Sequence, residues 1–305
     1  MSASFASALG AARDAAAAQH YPQGALYVVA TPIGNLADMT LRALHVLQLA
    51  DIIACEDTRH THALLRAYGI DKAGGSLIAL HQHNEAQAAQ QVVGQLRQGL
   101  RVAYVSDAGT PGVSDPGARL VDAVHQAGLR SIPLPGASSV TTALSVAGSV
   151  APATEVQGFV FQGFLPARAG ERSAAIQQLA NEPRCVVLLE APHRIQELAT
   201  ALAVLGGRRV TLARELTKQF EEVSSHPASE LSAWLAGSPQ RVRGEFVVLL
   251  HPADAQKNEE GGDSERVLRL LLDELPTKTA VKLAAEITGA ARNALYEAAL
   301  RMKNG

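Results

Sequence analysis

Apolar and polar positions alternate in two registers along this chain. Short β-rich runs cover Ala25–Ala30, Asp51–Glu56, Leu77–Leu80, Val102–Asp107 and Ser131–Pro135. Between them, residues 41–50, 62–69, 85–99 and 118–128 repeat their apolar positions every three or four residues, as helices with one buried face do. Strand–helix–strand alternation predicts a largely parallel sheet with helices on both faces. A second block has strand-like runs at Gly158–Phe164, Arg184–Ala191, Arg208–Thr217, Phe220–His226 and Gly244–Leu250, with helices over 170–181, 193–205 and 228–236. The short connection between the third and fourth of these runs predicts antiparallel pairing and a mixed sheet.

These patterns divide the chain into a flexible Ala-rich extension over 1–23, an α/β domain over 24–150 and a second α/β domain over 151–251. Residues 252–264 form a polar linker, and 265–305 a module of three helices with Thr277 as an N-cap and Gly289 as a break. The expected fold class is therefore α/β in two domains, with a small helical appendage.

Composition narrows the possibilities. The chain has 305 residues, 47% of them hydrophobic and 18% charged, with no run long enough to cross a bilayer. Its two cysteines, Cys55 and Cys185, lie apart in apolar stretches, which suits buried thiols in a reducing cytoplasm rather than a disulfide or metal framework. A formal net charge of −2 supplies no general attraction to nucleic acid, so any RNA contact must come from local patches.

The motifs that carry other chemistries are missing: no GxGxxG after a strand, no GxxxxGK[ST] and no HExxH. His81 and His83 lack a third spaced ligand, and no metal site is expected. What stands out instead is three loops at predicted strand ends: ATPIGNL (30–36), SDAGTPGVSDPG (106–117) and LPGASS (134–139). Any one of them alone is better explained by turn geometry. Three at the carboxyl ends of strands in an open sheet mark a small-molecule crevice without naming its ligand. Within it, Asp107 and Asp115 can hold hydroxyl or amino groups, and Ser138 and Ser139 open a helix towards a ligand.

Further polar groups sit at or just after strands: Glu56–Arg59, His81–Glu85 and Arg214–Lys218. If the last continued as strand, Glu215 and Thr217 would share one side and Arg214, Leu216 and Lys218 the other. Lys218 then stabilises an alkoxide or grips a phosphate, or else Glu215 is its structural counter-ion; both readings stay open. Arg59, His60 and Arg66 form either a solvated helix face or a phosphate track. The tail carries Lys278, Lys282, Arg292, Arg301 and Lys303, a basic bias diluted by Glu286 and Glu297.

Taken in order from Ala25 to Leu250, these segments, together with ACEDTRHT, LHQHNE, GFLP, EAPHRI and ARELTKQFEEV, resemble the ribosomal RNA small subunit methyltransferase I family, the RNA-modifying branch of the tetrapyrrole methylases. The resemblance implies a two-domain fold binding S-adenosyl-L-methionine between the domains. It implies 2′-O-methylation of a decoding-centre cytidine in 16S ribosomal RNA within the small subunit, by a cytoplasmic homodimer that is not membrane-bound. It also places the cofactor against Pro32 in the first loop, Asp107, Gly109, Thr110 and Val113 in the second, Ser138 and Ser139 in the third, and Ala191 and Ala213 in the second domain. Thr110 stands where the wider superfamily has Asp, which leaves Asp107 as the nearby acid. Glu215, Lys218, Asp57, Arg59 and His83 are the candidates for the chemistry. A methylase of a tetrapyrrole-type small molecule and a non-catalytic RNA-binding assembly factor are the alternatives.

Overall fold

The computed structural model describes residues 5–73, 75–81, 84–114, 117–149, 158–253 and 262–304. The first domain has strands β1 (Ala25–Val29), β2 (Ile52–Cys55), β3 (Leu77–Ala79), β4 (Val102–Val105) and β5 (Arg130–Leu134). All neighbours pair in parallel, in the order β3-β2-β4-β1-β5. Side chains alternate across this sheet. Tyr27, Val29, Ile53, Cys55, Ala103 and Val105 face one core, while Leu26, Ala54, Val102 and Tyr104 face another. The first core is closed by α1 (Ala8–Ala16), α2 (Leu41–Leu49) and Leu65 of α3 (Thr58–Ala67). The second is closed by α4 (Glu85–Arg97) and α5 (Gly117–Gln126). With both faces covered, β1 to β4 are apolar throughout, as the continuous runs required, while the edge strand β5 carries Arg130 and Ser131.

The start of the chain departs from expectation. Within the expected flexible extension, residues 5–23 are docked on the domain, because α1 packs on α2 with Ala12 and Ala16 buried, and Phe5 N–H donates to Ala67 C=O. Small alanine side chains carry a weak periodic signal but let two helices approach closely.

The second domain has β6 (Phe159–Gly163), α7 (Ala169–Leu179), β7 (Cys185–Glu190), α8 (Ile195–Leu202), β8 (Arg209–Arg214), β9 (Glu222–Pro227), α9 (Leu231–Ala236) and β10 (Phe246–Leu250). Its sheet runs β6-β7-β10-β8-β9, parallel only between β6 and β7. One face packs on α7, α8 and α9. The other carries Val187, Ala213, Val247 and Leu249, which pack on Ile33 and on Val140, Ala143 and Ala147 in and just after α6 (Ser139–Val146). This core joins the two domains and fixes the second sheet against the carboxyl edge of the first.

Strand β8 ends at Arg214, short of the expected Thr217. Glu215 (φ 51°) and Thr217 (φ 67°) turn the backbone into the left-handed region, and Lys218 N–H closes the turn on Glu215 C=O. The alternation inferred for 214–218 is therefore corrected: Glu215 and Lys218 meet on one side.

Three helices, α10 (Gly262–Glu274), α11 (Thr277–Thr288) and α12 (Arg292–Asn304), form the tail around Leu268, Ala280, Val281, Ala284, Leu295, Ala298 and Ala299. The expected linker over 252–264 thus yields its last residues to α10. Thr277 is the first residue of α11 rather than its cap, which is Pro276, and Gly289 ends α11 in the left-handed conformation. Among the described residues no helix is long and apolar enough to cross a membrane.

Candidate active site

Sheet order brings the sequence motifs together. Because β4, β1 and β5 are neighbours, the loops after them (106–114, 30–36 and 135–138) lie side by side at the carboxyl edge. On the other side of β4 lies β2, followed by Glu56 and Asp57.

Hydrogen bonds lace these loops. Thr31 and Gly109 exchange both backbone bonds, at 2.9 and 3.1 Å. Gly109 does so at φ 86°, where a side chain would be strained. Ser106 Oγ donates to Gly109 C=O, and Thr110 Oγ1 donates to Ala137 C=O at 2.9 Å. The Thr110 hydroxyl therefore ties the second loop to the third. Asp57 N–H donates to Asp107 Oδ1 at 3.3 Å, which joins the β2 loop to the same edge.

Two contiguous cavities open here between the domains. The larger, about 380 Å³, is mainly apolar; Ile33, Phe164, Ala191, Pro192, Ala213, Leu216 and Val247 line it, with Glu190 and Glu245. The smaller, about 230 Å³, is polar; Asp107, Gly109, Thr110, Val113, Ser138 and Ser139 line it with Glu56. Ala108, Ser139 and Leu189 border both, so the two halves form one cleft. Ser138 sits at the N-cap of α6 without using its side chain there.

Most of the candidate cofactor residues converge here. Pro32 is buried beside the cleft, but its neighbour Ile33 forms the wall. Sequence reasoning missed Ile33, Phe164, Leu189, Glu190 and Glu245. Their signal is slight: Leu189 and Glu190 end an apolar strand, and a carboxylate at its end, buried as Glu190 is, was the clue.

The Glu215–Lys218 turn flanks the apolar cavity through Leu216 and Glu245. Lys218 Nζ donates to Glu215 Oε1 at 2.8 Å and to Glu245 Oε2 at 3.0 Å. Burial alone would raise the Glu215 carboxyl, but Lys218 and the Glu245 N–H hold it below its ordinary value. Burial would likewise lower Lys218, yet its two carboxylate partners hold it above its ordinary value. The lysine is thus an ammonium, and among the described residues it uses two of its three N–H donors. A Cβ on Gly34 would fall 2.5 Å from Lys218 Cγ. The glycine of TPIGN therefore gives passage to the lysine stem and couples the first loop to this turn.

Asp57 caps α3, its Oδ1 accepting the Arg59 N–H at 2.8 Å, and its carboxylate grips the Arg59 guanidinium through Nε and Nη2. That pairing with Arg59 holds the Asp57 carboxyl well below the usual range. The side chain of Asn84 is engaged in its own loop, donating to Ala79 C=O and accepting from His81 N–H. His83 and Asp115 lie outside the described residues. Among the described residues no group of three His, Cys, Asp or Glu side chains has a metal-binding arrangement.

Two α/β domains closing on such a cleft define a class, and the comparisons agree. The family model of tetrapyrrole (corrin/porphyrin) methylases matches residues 25–232, and that of the RsmI C-terminal HTH domain matches residues 258–303. Ribosomal RNA small subunit methyltransferase I of Neisseria meningitidis serogroup B is 48% identical over 283 residues, covering 92% of this chain and 94% of its own length. The protein of that name from Escherichia coli O157:H7 is 47% identical over 283 residues, covering 92% and 96%. Within the tetrapyrrole methylases, this chain belongs to the ribosomal RNA small subunit methyltransferase I family. The solved structure of the methyltransferase CobJ shares the fold, with a TM-score of 0.54 at 19% identity, covering 75% of this chain and 94% of its own. So does cobalt precorrin-4 methyltransferase CbiF, with a TM-score of 0.52 at 15% identity, covering 76% and 98%.

Proposed function

We propose that this protein transfers a methyl group from S-adenosylmethionine to the 2′-hydroxyl of a decoding-centre cytidine in 16S ribosomal RNA, as a cytoplasmic homodimer acting on the small subunit. The observation that carries the reading is the two-part cleft in a chain whose relatives bear the name of a ribosomal RNA methyltransferase. The cleft's size falls within the roughly 300–1,000 Å³ usual for small-molecule sites.

Its two halves fit the two halves of the cofactor. The apolar wall of Ile33, Leu189, Ala191, Ala213 and Val247 suits an adenine ring. The polar part, with Asp107, Gly109, Thr110, Val113, Ser138 and Ser139, suits the amino-acid end, and Asp107 offers the carboxylate for its ammonium. When bound, the cofactor supplies an electrophilic methyl group on a sulfonium. The protein's own task is to hold a ribose hydroxyl in line, exclude water and ease loss of the hydroxyl proton. Lys218, kept cationic by Glu215 and Glu245, offers its remaining N–H to the oxygen on which negative charge develops. Glu215 is the positioning carboxylate, which combines the two roles left open for this pair.

The test uses purified protein, labelled S-adenosylmethionine and small subunits from cells lacking the gene, read by nucleoside mass spectrometry. New 2′-O-methylcytidine that disappears in Asp107→Ala supports the proposal. Cofactor binding without transfer to subunits or their RNA overturns the RNA assignment in favour of a tetrapyrrole-type substrate. No cofactor binding favours a non-catalytic assembly factor.

A further inference from the structure

We infer that the outward face of α3 is a track for the phosphodiester backbone of the RNA substrate, with Arg59 as its anchor at the cofactor end. This rests on the proposed RNA reading and adds the surface that meets the polymer.

Three observations converge on α3. It springs from the carboxyl edge of β2, beside the cleft, and Asp57 at its cap is hydrogen-bonded to Asp107 in the cleft wall. Its inner face is buried through Thr61 and Leu65, while Arg59, His60, His62 and Arg66 are exposed. Thr58–Ala67 contains no acidic residue. Arg59, His62 and Arg66 follow one another at helical spacing, so they form a stripe running away from the cleft. Arg59 and Arg66 stand two turns, about 10 Å, apart.

Arg59 is also held in an unusual way for a surface residue. Its side chain is 90% exposed, yet Asp57 grips the guanidinium through two nitrogens. The fork restrains a side chain that would otherwise sample many rotamers, and its bonds run through Nε and Nη2, not Nη1. This lowers the entropy lost when a phosphate is bound. Since the chain carries a net charge of −2, a local stripe of this kind is what an anionic polymer requires. Asp57 is accordingly a positioning residue, setting Arg59 and linking it to the cleft.

Binding of the full-length protein to unmodified small subunits and to isolated 16S ribosomal RNA is measured between 50 and 200 mM KCl at fixed magnesium. The double variant Arg59→Ala/Arg66→Ala is compared with wild type and with Arg97→Ala, an exposed cation at the opposite edge of the sheet. Binding of both probes weakens about tenfold in the double variant, and the slope of log affinity against log salt becomes shallower by roughly 0.7 per lost contact. Arg97→Ala changes neither, and S-adenosylmethionine affinity and the melting temperature of the double variant match wild type. Asp57→Asn weakens RNA binding in the same direction, and Arg59→Lys restores part of it.

An unchanged salt slope overturns the inference, as does a loss confined to the subunit, which would make this face a ribosomal-protein contact. Loss of cofactor binding would place α3 in the cofactor site instead. Wild-type methyl transfer is scored in the same preparation. If wild type transfers no methyl group to the subunit or its RNA, the RNA reading fails first; if it does while the double variant binds normally, only the track fails.

Discussion

Gly117→Ala probes how packing shapes the cleft. Gly117 is the buried first residue of α5, and the segment leading to it from β4 supplies Asp107, Gly109, Thr110 and Val113. A Cβ at this position would overlap Tyr104 Cε1 and lie 3.0 Å from Cζ and Oη. The Tyr104 ring is fully buried between α4 and α5 and cannot swing aside without displacing Val92, Leu120 or Val124. Alanine therefore pushes the start of α5 outward, at an overpacking cost of about 1–3 kcal/mol. The shift carries Val113 and Ser114 with it, so S-adenosylmethionine affinity falls several-fold. Tyr104→Leu removes the obstacle at its own cost of about 2–4 kcal/mol, and Gly117→Ala in that background adds almost nothing. Urea denaturation followed by circular dichroism gives the stabilities, and titration calorimetry gives the affinities. The reasoning is refuted if the two substitutions add to within about 0.5 kcal/mol, since residues in conflict must couple.

Other outcomes follow from single contacts. Lys218→Met keeps the stem over Gly34 but removes the ammonium. Its kcat drops at least tenfold while stability changes by no more than about 1 kcal/mol, because the ion pair is partly exposed; an unaltered kcat would reduce Lys218 to a structural role. His251 is buried, 2.7 Å from Thr211 Oγ1, and burial together with Arg209 and Arg208 pushes its pKa down to about 4. The unfolded state therefore binds the extra proton first. Stability is complete above about pH 6.5 and declines as pH falls towards 4, by roughly 3 kcal/mol in all. His251→Gln flattens that slope in denaturation curves taken between pH 4 and 7. Cys55 and Cys185 are both buried, and burial raises both thiols. A thiol reagent labels neither under native conditions and both in denaturant; rapid native labelling would contradict the packing.

Local pattern alone determined the strands, most helices, the mixed second sheet and the three loops of the cleft, because strand and helix periodicity and turn chemistry are properties of neighbouring residues. The ordered motifs likewise determined the family. Tertiary structure decided the rest. Sheet order places the loops after β4, β1 and β5 next to one another, although residues 31 and 109 are far apart in the chain. Nothing local reveals that the apolar wall is completed by Ile33, Phe164 and Leu189, because their apolar character reads equally well as core. The left-handed residues Glu215 and Thr217 are not glycines, so the sequence carries no mark of the turn that pairs Glu215 with Lys218. The docking of α1 was hidden for the opposite reason: its buried alanines contribute close approach rather than the hydrophobic bulk by which a helix face is recognised. What a residue touches across the chain depends on which distant segment packs against it, and here that is decided by the second sheet packing on α6 and on Ile33 of the first domain.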